Sequence, residues 1–109
     1  MKEFFHHFKD LEAKVPVGGI KVRSVYLEQA MMTWMEFEPH RQLPDHQHPH
    51  EQITLIVEGE LEMTIAGEIK VMRPGDVAVV PSDTPHSART ADQPAIAVDA
   101  WAPIREDYK

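Results

Sequence analysis

The stretch 52–81, QITLIVEGELEMTIAGEIKVMRPGDVAVVP, is a succession of short apolar runs broken by turn residues. Gln52–Val57 is one run, Glu58-Gly59 is a tight turn, and Leu61–Ile65 is the next run. In the latter the period is two: Leu61, Met63 and Ile65 share one face, and Glu62 and Thr64 the other. That alternation is the mark of a half-buried strand. Ala66-Gly67-Glu68 turns into Ile69–Met72, and Pro74-Gly75-Asp76 turns into Val77–Val80, which Pro81 closes. The same pattern continues on both sides. Ile20–Leu27 and Met31–Phe37 precede the stretch, and His86–Thr90 and Ala95–Trp101 follow it, while Pro39 and Pro44 bracket a polar turn. About eight or nine short strands, with turn signals roughly every 8–12 residues, predict an all-β sandwich or barrel. No long helical pattern separates the strands, which argues against a doubly wound α/β fold. At the N-terminus Phe4, Phe8 and Leu11 recur at helical spacing, compatible with a short helix over 4–13 that Pro16 and Gly18-Gly19 would end.

The chain has 109 residues, the size of one domain, so residues 1–109 are read as a single unit with one core. Apolar residues make up 42% and charged residues 27%, which excludes wholesale disorder. Cysteine is absent, so disulfides, thiolate catalysis and Cys-ligated zinc are excluded. The net charge of −7 argues against nucleic acid as a partner, because such a binder needs a basic footprint. No apolar run approaches the ~20 residues of a membrane span. Met1–Lys14 alternates charges with aromatics and has no apolar core of a signal peptide, which makes the cytoplasm the expected compartment.

Seven histidines are present, and three fall in Asp45-His46-Gln47-His48-Pro49-His50-Glu51-Gln52. On a strand, residues two apart point to the same face, so His46 and His48 would present two imidazoles side by side. On a helix the same spacing would set them about 200° apart, useless for one ion. Gln52 shares their parity, and its amide oxygen can converge there too. A third imidazole from a neighbouring strand would complete a site, and His86 is the candidate. Imidazole suits zinc, nickel, iron, copper and similar first-row ions. The bland alternative is a solvated polar loop, which Pro44, Asp45 and Pro49 would support. His50 shares the parity, but Pro49 disrupts the strand and sets it just outside the site. His6 and His7 are read as having no special role, and His40 stays open.

These residues resemble the two motifs of the cupin family. His46-x-His48-x3-Gln52-x6-Gly59 is similar to the first, with Gln in place of the usual Glu, and Gly75-Asp76-x4-Pro81-x4-His86 is similar to the second. The spacer between Gly59 and Gly75 holds one hairpin, as in the shortest members. Three positions depart from the pattern: His40 and Asp83 stand where glycine is usual, and Thr90 where asparagine is. The resemblance implies a double-stranded β-helix, the jelly-roll barrel. It also implies His46, His48, Gln52 and His86 as ligands of one divalent transition metal (zinc, nickel, manganese or iron), and a homodimer. The apolar run Met31–Met35 is either a core strand or part of that interface. A neutral amide in place of a carboxylate leaves the metal site one unit more positive, which favours anionic ligands.

The C-terminal stretch 98–108, VDAWAPIREDY, together with the histidine run, looks like the KdgF-like small cupins of pectin and alginate breakdown. Those proteins open 4,5-unsaturated uronate monosaccharides to linear keto acids. The matching active-site positions are Gln52, Asp99, Trp101 and Arg105, so the implied partner is a small anionic sugar. Asp99 and Trp101 are two apart on the last strand and share a face. An aspartate inside an apolar strand needs a partner; here it is the candidate general acid or base. Trp101 is either a wall for the sugar ring or a core or interface aromatic. Arg105 is either a clamp on the substrate carboxylate or one half of a surface ion pair with Glu106 or Asp107. The same scaffold also suits a metal-dependent dioxygenase, a sugar isomerase or a non-catalytic small-molecule-binding module.

Overall fold

The computed structural model describes residues 3–109; Met1 and Lys2, the start of the stretch read as lacking a signal peptide, lie outside it. Ten strands run through the described residues: β1 (Lys14–Val17), β2 (Ile20–Tyr26), β3 (Met31–Phe37), β4 (Gln42–His46), β5 (Glu51–Glu58), β6 (Leu61–Ile65), β7 (Glu68–Met72), β8 (Val77–Val80), β9 (His86–Arg89) and β10 (Ala95–Ala102). They form two antiparallel sheets, β1-β2-β3-β10-β5-β8 and β4-β9-β6-β7. The fold is all-β, as the period-two pattern predicts. No helix among the described residues is long and apolar enough to cross a membrane.

The core lies between the sheets. Ile20 and Val22 from β2, Met31, Met35 and Phe37 from β3, Ile56 from β5, Leu61 and Met63 from β6 and Trp101 from β10 all point into it. Met31–Met35 is therefore a core strand on its inward face, while Met32 points outward and is exposed. On β5 the inward face is Gln52, Thr54 and Ile56, so two of its three buried side chains are polar. Its outward face is Ile53, Leu55 and Val57, which stays exposed beside Val77 and Val79 of β8.

Three expectations are corrected. The helix over 4–13 is replaced by a single 3-10 turn at Phe8–Asp10 followed by β1. Short isolated helices are marginal in water, and this one has nothing to bury against: Phe4 and Phe5 are 90% and 92% exposed, and only Phe8 finds a ring, stacking on Trp34 at 5.3 Å. The polar segment between Pro39 and Pro44 gives up its second half to β4. Pro44 is tolerated inside that strand because β4 is the edge of its sheet, where a missing N–H breaks no ladder. Lastly, His46 and His48 do not share a strand: His46 ends β4, and His48 lies in the irregular segment before β5.

The turns explain the departures from the family motifs. His40 (φ 56°) and Asp83 (φ 55°), which stand where glycine is usual, both hold the left-handed conformation. Asp tolerates it better than most residues. Thr90 stitches the turn after β3: its hydroxyl donates to the Glu38 carbonyl at 2.6 Å and accepts from the Arg41 amide at 3.0 Å. Gly59 is the turn with no freedom. Its φ is +74°, and a Cβ there would lie 2.1 Å from the Pro94 carbonyl oxygen. We expect Gly59→Ala to cost about 2–4 kcal/mol, because strain and a backbone clash add. Gly75→Ala, with φ +93° but open space around it, should cost only about 1 kcal/mol. Urea unfolding midpoints of the two variants check this, and equal losses would contradict it.

Candidate metal centre

The four-stranded sheet brings the sequence-distant His46 and His86 together on neighbouring strands. His46 on β4 and His86 on β9 are register partners, and the loop after β4 swings His48 over them. His46 and His86 ring centroids are 4.2 Å apart, and those of His48 and His86 are 4.7 Å apart. A ligand atom from each of the three lies within 4.8 Å of the others. His48 and His86 are buried, and His46 is half-buried.

The tautomers follow from the partners. Nδ1 of His46 meets the Pro44 carbonyl at 2.7 Å, Nδ1 of His48 the His50 carbonyl at 2.9 Å, and Nδ1 of His86 the Thr84 carbonyl at 2.8 Å. A carbonyl only accepts, so each Nδ1 carries the proton and each neutral ring keeps a bare Nε2. Nε2 of His48 lies 3.2 Å from Nε2 of His86 and 3.2 Å from Oε1 of Gln52. Three acceptors thus face one another with no donor among them. Such a cluster repels itself unless a cation sits in it, and backbone carbonyls behind each ring are the support that metal-bound histidines receive. The donor set therefore fits a divalent ion. His50 stays outside: its carbonyl orients His48, and its own buried Nδ1 has no partner.

Burial pushes both the His48 and the His86 rings below the usual histidine range, against the raising effect of their carbonyl partners. The unfolded chain takes up protons on these rings near pH 6.5, and the folded chain resists until lower pH. A depressed folded pKa means stability that is full above the unfolded value and falls as pH drops through it. In chelator, the urea midpoint should therefore decrease between about pH 7.5 and pH 5.5; a flat profile would contradict neutral His48 and His86 rings.

Behind the histidines lies a buried polar row. Asp99 on β10 is the register partner of Thr33 on β3 and of Thr54 on β5. Thr33 Oγ1 donates to Asp99 Oδ2 at 3.2 Å, and Thr54 Oγ1 donates to Oδ1 at 2.5 Å. Gln52 Nε2 donates to Thr54 Oγ1 at 2.9 Å and to Asp99 Oδ1 at 3.2 Å. Burial raises the Asp99 pKa, and the bonds from Thr54, Gln52 and Thr33 act against it. Asp99 is 1% exposed and shows no free edge to the site mouth. A cavity of about 20 Å³ beside Gln52, Thr54, His86 and Asp99 has room for about one water molecule.

Trp101 is buried next to this row. Its indole N–H donates to Thr33 Oγ1 at 2.9 Å, and its ring meets His48 edge-on at 5.3 Å. The Arg105 guanidinium covers it at 5.0 Å and covers Tyr108 at 4.2 Å. Arg105 is also forked onto Asp107, at 3.1 and 2.7 Å. These bonds and that charge hold the Asp107 carboxyl below its usual range although burial opposes them. The 3-10 turn Glu106–Tyr108 is tied down where the Tyr108 carbonyl accepts from Ser24 Oγ at 2.6 Å. Thus Gln52, Asp99, Trp101 and Arg105 do gather around the triad, with Arg105 already paired. Thr33 and Thr54 are the members of this constellation that sequence reading missed. The signal was there: Thr33 interrupts the apolar inward face of β3, and Thr54 shares the inward face of β5 with Gln52. A wider cavity of about 720 Å³ lies on the other side of Trp101, beneath the N-terminal segment, and is lined mainly by apolar side chains, Phe4, Phe8, Leu27 and Met32 among them.

Residues 33–101 match the model of the cupin domain. The chain belongs to the cupin family. Among curated proteins, this cupin is 25% identical over 92 residues to the pectin degradation protein KdgF of Dickeya dadantii, covering 83% of this chain and 84% of that one. It superposes on the structure of KdgF from Halomonas sp. with a TM-score of 0.89 and 27% identity, over 98% of this cupin and 99% of that chain. It is also 42% identical over 59 residues to the dimethylsulfoniopropionate lyase DddQ of Ruegeria pomeroyi. That match takes in 53% of this cupin and only 29% of DddQ, so the chain spans under a third of that relative's length.

Proposed function

We propose that this cupin opens 4,5-unsaturated uronate monosaccharides to linear keto acids, with one divalent transition metal held by His46, His48, His86 and Gln52. Zinc, nickel, manganese and iron all suit three imidazoles and one amide oxygen. The observation that carries the reading is the arrangement of Asp99, Trp101 and Arg105 around the triad, in a chain similar to KdgF over most of both lengths.

The reaction is an isomerisation. The anomeric hydroxyl loses a proton, the bond from the anomeric carbon to the ring oxygen breaks, and that oxygen becomes a ketone as carbon 4 takes a proton. No oxidant or co-reactant is consumed. Bound metal supplies a Lewis acid for substrate oxygens. The filled barrel interior keeps a sugar at the mouth, beside the half-buried His46. Arg105 meets the substrate carboxylate by exchanging it for Asp107, and Trp101 stiffens that arginine from below. Asp99 stands behind Gln52 as a carboxylate that accepts from Thr33, Thr54 and Gln52, and reaches the substrate only through that amide or an intervening water.

The substrate's enol ether is conjugated with its carboxylate, so opening removes its ultraviolet absorbance. Metal-loaded protein should accelerate the fall in absorbance of a 4,5-unsaturated galacturonate over a protein-free blank, and chelated protein should not. A loaded rate equal to the blank would overturn the uronate reading; oxygen consumption would then turn attention to a dioxygenase on the same scaffold.

A further inference from the structure

We propose that Asp99, braced by Thr33 and Thr54, is a positioning residue that makes an amide obligatory at position 52 and turns its oxygen toward the histidines. The inference rests on the metal reading of the triad and on no particular substrate.

The hydrogen-bond directions carry it. The Gln52 amide nitrogen faces two oxygens that touch each other, Thr54 Oγ1 at 2.9 Å and Asp99 Oδ1 at 3.2 Å, so one N–H is shared between them. Thr54 has one proton, and it goes to Asp99. Thr33 has one proton as well. It accepts the Trp101 N–H, so it too gives its own to Asp99. Each hydroxyl accepts from one neighbour and donates to Asp99, and Asp99 only accepts. A flipped amide would set its oxygen against the Asp99 carboxylate and its N–H₂ toward His48. The buried row therefore sets the direction of the amide, and only Oε1 is left to face the triad.

The same row excludes the carboxylate that the family more often carries at this position. Glutamate at 52 would bring two carboxylates into contact in a buried site, with no donor between them. A neutral ligand follows, and with it a more positive metal that favours anionic partners. The choice of Gln is thus written into a strand 47 residues away in sequence.

Two experiments test this. The first is a thermal-melting cycle in chelator with Gln52→Glu, Asp99→Asn and the double variant. Gln52→Glu should melt well below the parent, by roughly 5–10 °C, as expected of a domain this size losing one or two kcal/mol. Asp99→Asn in the same chain restores a donor opposite the new carboxylate and should recover most of the loss. A Gln52→Glu protein as stable as the parent, or a double variant no better than Gln52→Glu, would overturn the pairing. The second uses Thr54→Val, near-isosteric and charge-neutral. Freed from Thr54, the amide should bind Co(II) about tenfold more weakly, as loss of a supporting partner usually does, with a changed cobalt absorption spectrum. An unchanged affinity and spectrum in a folded variant would overturn the positioning role. A parent that takes up no Co(II) would instead refute the metal reading, and the melting cycle would still decide the pairing on its own.

Discussion

Replacing His48 with alanine is expected to abolish tight metal binding and, with it, any metal-dependent turnover. His48 is the centre of the acceptor cluster: its Nε2 is within 3.2 Å of both His86 Nε2 and Gln52 Oε1. Residues that merely support a metal ligand are worth 10–100-fold in affinity, so loss of a ligand should cost at least about a hundredfold. The cleanest readout is linkage. An ion at a hundred times its dissociation constant stabilises the parent by about 2.7 kcal/mol, and in His48→Ala that metal-induced rise in melting temperature should vanish. His7→Ala is the control, since His7 only caps the N-terminal turn through its Nδ1. A His48→Ala protein that keeps the rise would mean that the ion binds elsewhere.

The triad was legible in sequence for a reason that is partly wrong. Two imidazoles two apart do converge, but not because a strand alternates. His46 ends β4, and the convergence is made by the irregular segment Gln47–His50, where the His50 carbonyl fixes the His48 ring. The period-two signal located Leu61–Ile65 to the residue, with Leu61 and Met63 buried, and the Pro74-Gly75-Asp76 turn and Pro81 bounded Val77–Val80 as closely. It failed at β1 and β4, whose residues are mostly exposed and so leave no hydrophobic pattern. It also misread 4–13, where helical spacing exists without a surface to bury it. Register is the part that single-sequence reading does not reach. That Asp99 lies between Thr33 and Thr54 depends on two strand pairings across the sheet. From sequence, Asp99 could only be said to need a partner; which partners it has decides that it acts on Gln52.

The second large effect is expected at the site mouth, where Arg105→Ala should raise KM for an unsaturated uronate by about ten- to a hundredfold. Hydrogen bonds to charged groups are worth about 1.5–3 kcal/mol, and a forked guanidinium is the geometry a carboxylate takes best. In the protein alone that fork is filled by Asp107, with the guanidinium sandwiched against Trp101 and Tyr108. Only 14% of the Arg105 side chain is exposed, against 58% for Asp107. The arginine is thus fixed in place, and the aspartate is the half that can swing away. A substrate carboxylate does not have to order Arg105; it has to displace a like-charged group that already marks its place. Two substitutions separate this from a purely structural ion pair. Asp107→Asn removes the competitor and keeps the stack, so it should lower KM, whereas a structural pair would give a loss of stability and no gain in affinity. Arg105→Lys keeps the charge but loses the fork and the planar stacking surface, so it should recover little. If Asp107→Asn and Arg105→Ala raised KM alike, the carboxylate would not be a placeholder, and the anion would have to be met by the metal alone.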